Sequence, residues 1–172
     1  MRPRLRQVAA TVGGIAIGLI GMRQFGLNMV FLILSLAVCW WGFARLGLPR
    51  RLLVPLSFTA GHAVWFVIGI AWSVASGTPL EAMIEIGVEV LVVAALVAWV
   101  CLRRSKASLC GLIVYEALSI GFNVLTWSQV GTMEGILLVH MAMRVMSIVG
   151  AVLALIHYEE IRPRADAALS AS

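Results

Sequence analysis

Three carboxylates, Glu81, Glu85 and Glu89, stand four residues apart and run straight into an unbroken apolar stretch, 90–100. Residues four apart share one face of a helix. A soluble helix would turn that face to water, but this one continues into sequence that belongs in a hydrocarbon environment. Glu85 and Glu89 are therefore expected to enter a membrane, where a carboxylate is costly and has a partner or a function.

The rest of the chain agrees. Hydrophobic residues make up 62% of it, against about half in a soluble domain, so it has too little polar surface to cover itself. Its apolar runs are long and continuous rather than alternating, which selects helices over a β-barrel. The expected fold is an all-α integral membrane protein, a six-transmembrane-helix bundle with spans at 7–22, 27–44, 53–76, 80–102, 107–129 and 133–158. These form one domain, 1–158, followed by a polar, flexible cytoplasmic tail, 159–172. The first span is short, about 24 Å against a hydrocarbon core near 30 Å, and Arg4 and Arg6 can snorkel to extend it. It carries Gly14 and Gly18 as a small-residue packing face. The N-terminus has the look of a signal peptide but no small-residue cleavage site, so the first helix is expected to be retained. Pro55 is expected in the first turn of its helix, and Thr78, Pro79 and Glu81 in the capping positions of the next.

The net charge of +5 does not point to nucleic acid, because nearly all the basic residues lie at the ends of apolar runs. Arg2, Arg4 and Arg6, then Arg45, Arg50 and Arg51, then Arg103, Arg104 and Lys106, then Arg162 and Arg164, all fall on one side of a six-span chain. The positive-inside rule makes that side the cytoplasm and places both termini there, in a cell (inner) membrane. Each basic segment opens a hairpin. Trp72-Ser73, Gly77-Thr78 and Glu81 are echoed, with a one-residue gap, by Trp127-Ser128, Gly131-Thr132 and Glu134, a short match that chance explains as well as a duplicated helical hairpin does. Trp40 and Trp41, at the end of the second span, read as interfacial anchors. Cys39, Cys101 and Cys110 form neither a pairable set nor a zinc spacing and read as reduced thiols.

The candidate site comprises the ionisable and amide groups inside the spans: Glu85, Glu89, Glu116, Asn123, His140, Arg144 and His62. Counting the 1.5 Å helical rise from the non-cytoplasmic ends puts Glu85, Asn123 and His140 about 8–10 Å down, Glu89 and Arg144 about 13–16 Å, and Glu116 and His62 near 20 Å. Glu81 sits at the mouth and is accounted for by helix capping. His140, Arg144 and Ser147 share one helix face, and Glu116, Ser119 and Asn123 another, so each polar stripe should face the bundle interior. The expected pairing is Arg144 with Glu89 and with Glu116. More deep carboxylates than cations implies that one of them is protonated, or is neutralised by a histidine or a bound cation.

Three functions fit these residues. The first is a small proton- or cation-coupled transporter of a small solute, completing its pathway as a homodimer. The second is a membrane-embedded enzyme using Glu/His acid–base chemistry on a lipid or isoprenoid-like substrate in a pocket walled by Trp65, Trp72, Trp99 and Trp127. No HExxH, GxSxG or aspartate-rich motif supports a specific reaction, and no aspartate precedes Asp166. The third is a structural or assembly subunit whose charges are all paired. No cofactor and no metal is expected. A haem between His62 and His140 is opposed by their expected depth difference of about 10 Å, and Glu85, Glu89 and His140 make only a loose metal-ligand set. The expected partners are the lipid bilayer and a small-molecule or ion ligand, and no nucleic acid.

Overall fold

The computed structural model describes residues 27–130 and 135–162. All the regular structure there is helical: α1 (Leu27–Arg45), α2 (Arg50–Ala75), α3 (Ile84–Arg103), α4 (Lys106–Val130), α5 (Gly135–Ile156) and the short α6 (Tyr158–Ile161), with a 3₁₀ turn, Leu80–Met83, leading into α3. The expected span 7–22, with Gly14 and Gly18, lies outside the described residues, as do Gly131, Thr132 and Glu134 of the suggested repeat.

Four stretches, Arg50–Ala75, Ile84–Arg103, Lys106–Ser128 and Leu137–Ile156, are long and apolar enough to cross a membrane. The helix at Met29–Arg45 is apolar but shorter. Cys39, Cys101 and Cys110 are all free thiols.

Three local expectations are corrected. α2 begins at Arg50, three residues earlier than expected, so Pro55 lies inside the helix rather than in its first turn. Gly150 of α5 faces it and lets the two helices approach closely: a Cβ on Gly150 would meet Pro55 Cδ at 2.8 Å. Thr78 does not cap the helix that follows, because that helix opens in 3₁₀ geometry with no side-chain cap. Its amide instead closes the end of α2, donating to the Ser73 carbonyl at 2.9 Å. Last, the span expected to run to 158 stops at Ile156, and Tyr158–Ile161 is a separate turn of helix rather than the start of a loose tail. A cap that was not foreseen opens α4, where Ser105 and Ser108 each accept the other's backbone N–H at 3.1 Å.

α2 is the central element. It packs most extensively against α1 and α5, and also against α3, while α4 packs against α5 and α3. Helices α2, α3, α4 and α5 thus form a ring, with α1 on its outside. Lipid tails are as apolar as leucine, so apolar side chains alone give such a ring little reason to close, and close approach and polar links matter more. Gly150 provides the α2–α5 approach. Gly61 provides the α1–α2 approach, where an added Cβ would lie 2.8 Å from Leu36 Cδ2. Gly111 does the same between α4 and Trp99 of α3, at 2.7 Å.

Packing is uneven along the ring. At the Arg-rich end, Leu48, Leu52, Leu53, Leu56, Val100, Leu109, Leu112, Ala151, Ala154 and Ile161 form one buried cluster. Toward the other end burial stops: no side chain is buried in 66–75, 84–92, 117–128 or 137–142. Trp72 and Phe122 are 71% and 69% exposed there. The bundle is closed at one end and splayed at the other.

Candidate functional site

The polar residues gather where the closed half meets the splayed half. α5 carries Arg144 into the middle of the ring, 2% exposed. Its Nη1 donates to Glu116 Oε2 of α4 at 2.9 Å, and its Nη2 donates to Glu89 Oε1 of α3. The Arg144–Glu89 link crosses the ring, joining two helices that are not adjacent in it.

Glu116, also 2% exposed, has its second oxygen occupied as well. Thr59 of α2 donates to Oε1 at 2.7 Å, and Thr59 Oγ1 lies 2.6 Å from Ser147 Oγ of α5. Ser147 in turn points at the Pro55 carbonyl, 3.4 Å away. Four side chains from three helices thus form a continuous chain of polar contacts. Glu89 is the less enclosed carboxylate, its side chain 28% exposed. It also accepts from the Tyr115 hydroxyl at 3.2 Å, and the Tyr115 ring lies under the Arg144 guanidinium with its centroid 5.7 Å from Cζ. Arg144 Nε is buried without a hydrogen-bond partner. A buried guanidinium is tolerable only with such company, since an isolated charge there would cost several kcal/mol.

One helical turn further toward the splayed end, His62 Nε2 of α2 and His140 Nδ1 of α5 are 2.6 Å apart. This corrects the expected 10 Å separation in depth. α2 has 26 residues, about 39 Å at the helical rise, longer than the hydrocarbon core. Depth counted from its own end therefore sets His62 too low relative to the shorter α5. Phe66 packs on both imidazoles, with ring centroids 4.4 Å from His62 and 5.0 Å from His140. Trp65 flanks His140 at 4.9 Å. The two nitrogens are closer than two ligands of one tetrahedral ion, which stand roughly 3.3 Å apart for bonds near 2 Å. The pair is a hydrogen bond, in which one ring donates and the other accepts.

The remaining candidates are not part of this constellation. Glu85 is exposed and has no polar partner among the described residues. The helical stripe therefore divides, with Glu89 held in the cluster and Glu85, one turn toward the splayed end, exposed. Asn123 is half-buried, and its Nδ2 is enclosed without a partner among the described residues. Among the described residues no three of His, Cys, Asp and Glu converge as a metal-ligand group, so Glu85, Glu89 and His140 are not brought together as one.

Thr59 and Tyr115 were missed in the sequence. Thr59 had a readable signal, since it lies three residues before His62 and four after Pro55 on one face of α2. Tyr115 had none, because as the neighbour of Glu116 it belongs to the next face round.

Chemically, the site holds a guanidinium shared between two carboxylates, with a hydroxyl chain on one side and an imidazole pair one turn above it. These are groups that hold and exchange protons. Comparison with known proteins adds no further constraint: no family model, no curated protein and no solved structure matches this chain.

Proposed function

We propose that the chain is a small proton- or cation-coupled transporter of a small solute. In this reading it is a six-span bundle of three helical hairpins with both termini cytoplasmic in a cell (inner) membrane, and it works as a homodimer. The observation that carries the reading is the position of the Arg144 cluster at the boundary between a sealed half and a splayed half of the same ring. A carrier needs its ion-binding groups at such a boundary, reachable from one side and closed to the other. Glu89 and Glu116 together outnumber Arg144 by one charge, and in a low-dielectric interior that excess calls for a proton or a cation. Glu89, the more exposed of the two carboxylates, is the point of entry. The His62–His140 pair stands beside the route as a second proton-bearing group.

The test is reconstitution in sealed liposomes with an internal pH-sensitive dye. A pH gradient should drive proton movement well above empty liposomes, and Glu89→Gln should abolish it while leaving the protein folded. Flux in Glu89→Gln and Arg144→Ala equal to wild type would remove the proton route. A second reading is favoured by the enclosure of Arg144, whose charge is matched on both sides: the cluster serves only to hold four helices together in an assembly subunit. That reading expects no flux above empty liposomes and a large loss of stability in the same variants.

A further inference from the structure

The chain does not leave the bundle when α5 ends. The helix breaks at His157 (φ −104°, ψ 36°), and the next four residues wind into α6 beneath the closed end. Ile161, 1% exposed, joins the buried cluster with Leu48, Leu52 and Leu56, Val100 of α3 and Leu109 and Leu112 of α4. Tyr158 packs against the same cluster. Polar contacts on the outside tie this turn to two of the same helices. Arg51 of α2 meets Glu160 at 3.2 Å, and Lys106 at the start of α4 lies 5.2 Å from the centroid of the Tyr158 ring. His157 meets Glu160 from within the turn, also at 3.2 Å. An acidic segment thus lies across the basic end of the ring, with one isoleucine driven into the seam.

We propose that residues 157–162 are a strap that locks the closed end of the bundle, and that this end opens only when Ile161 withdraws. The packing stands on its own. Its consequence for transport, that the strap must release before the site can face the cytoplasm, rests on the carrier reading. Ile161 supplies the hold, because it is fully enclosed. Arg51 and Glu160 supply the register, because an exposed pair contributes little strength.

Cys101 reports on this end, since it packs half-buried against the same cluster. With Cys39→Ser and Cys110→Ser in the full-length chain, the rate at which a water-soluble maleimide labels Cys101 in detergent measures opening. Ile161→Ala should raise that rate about tenfold or more, as expected for loss of a buried isoleucine side chain. Glu160→Arg, which places like charges together, should raise it too. Combining it with Arg51→Glu should bring the rate back toward wild type. A wild-type rate in Ile161→Ala, in a sample with an unchanged circular dichroism spectrum, overturns the strap. A rate still raised in the charge-swapped pair also overturns it. Labelling does not depend on flux. The expected labelling without flux in liposomes leaves the strap standing and removes the carrier, and flux with an unresponsive Cys101 does the reverse.

Discussion

Arg144 and Glu116 meet at 2.9 Å with side chains only 3% and 2% exposed, so each is the other's main defence against burial. Breaking such a pair from one side is far worse than never having it, because the remaining charge is stranded. Arg144→Ala strands two carboxylates and should destabilise the protein by about 3–5 kcal/mol. Glu116→Gln keeps an acceptor for Thr59 or Arg144 but presents an amide where a carboxylate stood, and should cost about 1–3 kcal/mol. Glu89→Gln, partly exposed, should cost least of the three. Thermal unfolding in detergent should rank them in that order, and equal melting temperatures for Arg144→Ala and wild type would contradict the geometry.

Glu85 provides the internal control. It shares a helix face with Glu89 but has no polar partner among the described residues, so Glu85→Gln should leave both the melting temperature and any proton flux at wild-type values. A loss of flux in this variant would show that the entry path includes Glu85.

The comparison of these two carboxylates also marks how far the sequence reaches. The pairing of Arg144 with Glu89, with Glu116 as the further candidate, was legible, because a cation within an apolar run has few options and only three deep acids, Glu85, Glu89 and Glu116, were available. The positions of the described helices were legible from long apolar runs between basic segments, to within a few residues. Which of two carboxylates four residues apart is held in the cluster was not, since a stripe two turns long is long enough to straddle the edge of a contact. The level of His62 was not legible either, because rise per residue gives depth only relative to a helix's own end. The strap was hidden for a different reason. Glu159, Glu160 and Arg162 look like a solvated tail, and only tertiary structure shows that Ile161 between them is enclosed.

The small residues at helix crossings give a backbone test. Gly150→Ala would place a methyl 2.8 Å from Pro55 Cδ and 2.9 Å from Pro55 N. The ring and backbone of a proline cannot rotate away, so α2 and α5 must separate, at a cost of about 1–3 kcal/mol. That separation also pulls Ser147 from Thr59, so the loss should be larger than overpacking alone. Gly69→Ala, on the same α2 with nothing within 4 Å, should be neutral or stabilising by up to about 1 kcal/mol through helix propensity. Melting temperatures that fall equally for both would show that the crossing is not where the structure puts it.

The strap should respond to acid. The hydrogen bond from Arg51 Nε holds Glu160 below the ordinary carboxylate range, outweighing a slight desolvation that acts the other way, and the charges of Arg51 and His157 add to it. A lowered folded value means that the ionised pair stabilises the folded state. Its contribution is therefore complete above the unfolded value and is lost as pH falls through the folded one. The melting-temperature gap between wild type and Glu160→Gln should be present at about pH 5.5, above the unfolded carboxylate range, and shrink progressively as the pH falls below it. Because the pair is exposed, raising the salt to about 1 M should shrink the gap at neutral pH as well.

The histidine pair allows a sharper measurement than any single variant. His62 Nε2 and His140 Nδ1, 2.6 Å apart, share one hydrogen bond in an aromatic surround. His140→Phe leaves a polar nitrogen of His62 enclosed beside Phe66, and His62→Phe does the same to His140. Each should cost about 1–3 kcal/mol for the unsatisfied group. In the double variant both polar groups are gone and two apolar rings face each other, so its cost should fall well short of the sum. A double-mutant cycle on thermal or denaturant unfolding should therefore return a coupling of about 0.5–3 kcal/mol, the range for residues in direct contact. Additivity within about 0.5 kcal/mol would mean that the rings are independent. The same cycle run on proton flux separates two roles. A pair that only packs the interior changes stability and leaves flux per folded molecule intact, whereas a pair that carries protons loses flux in all three variants, including the double one whose stability has been restored.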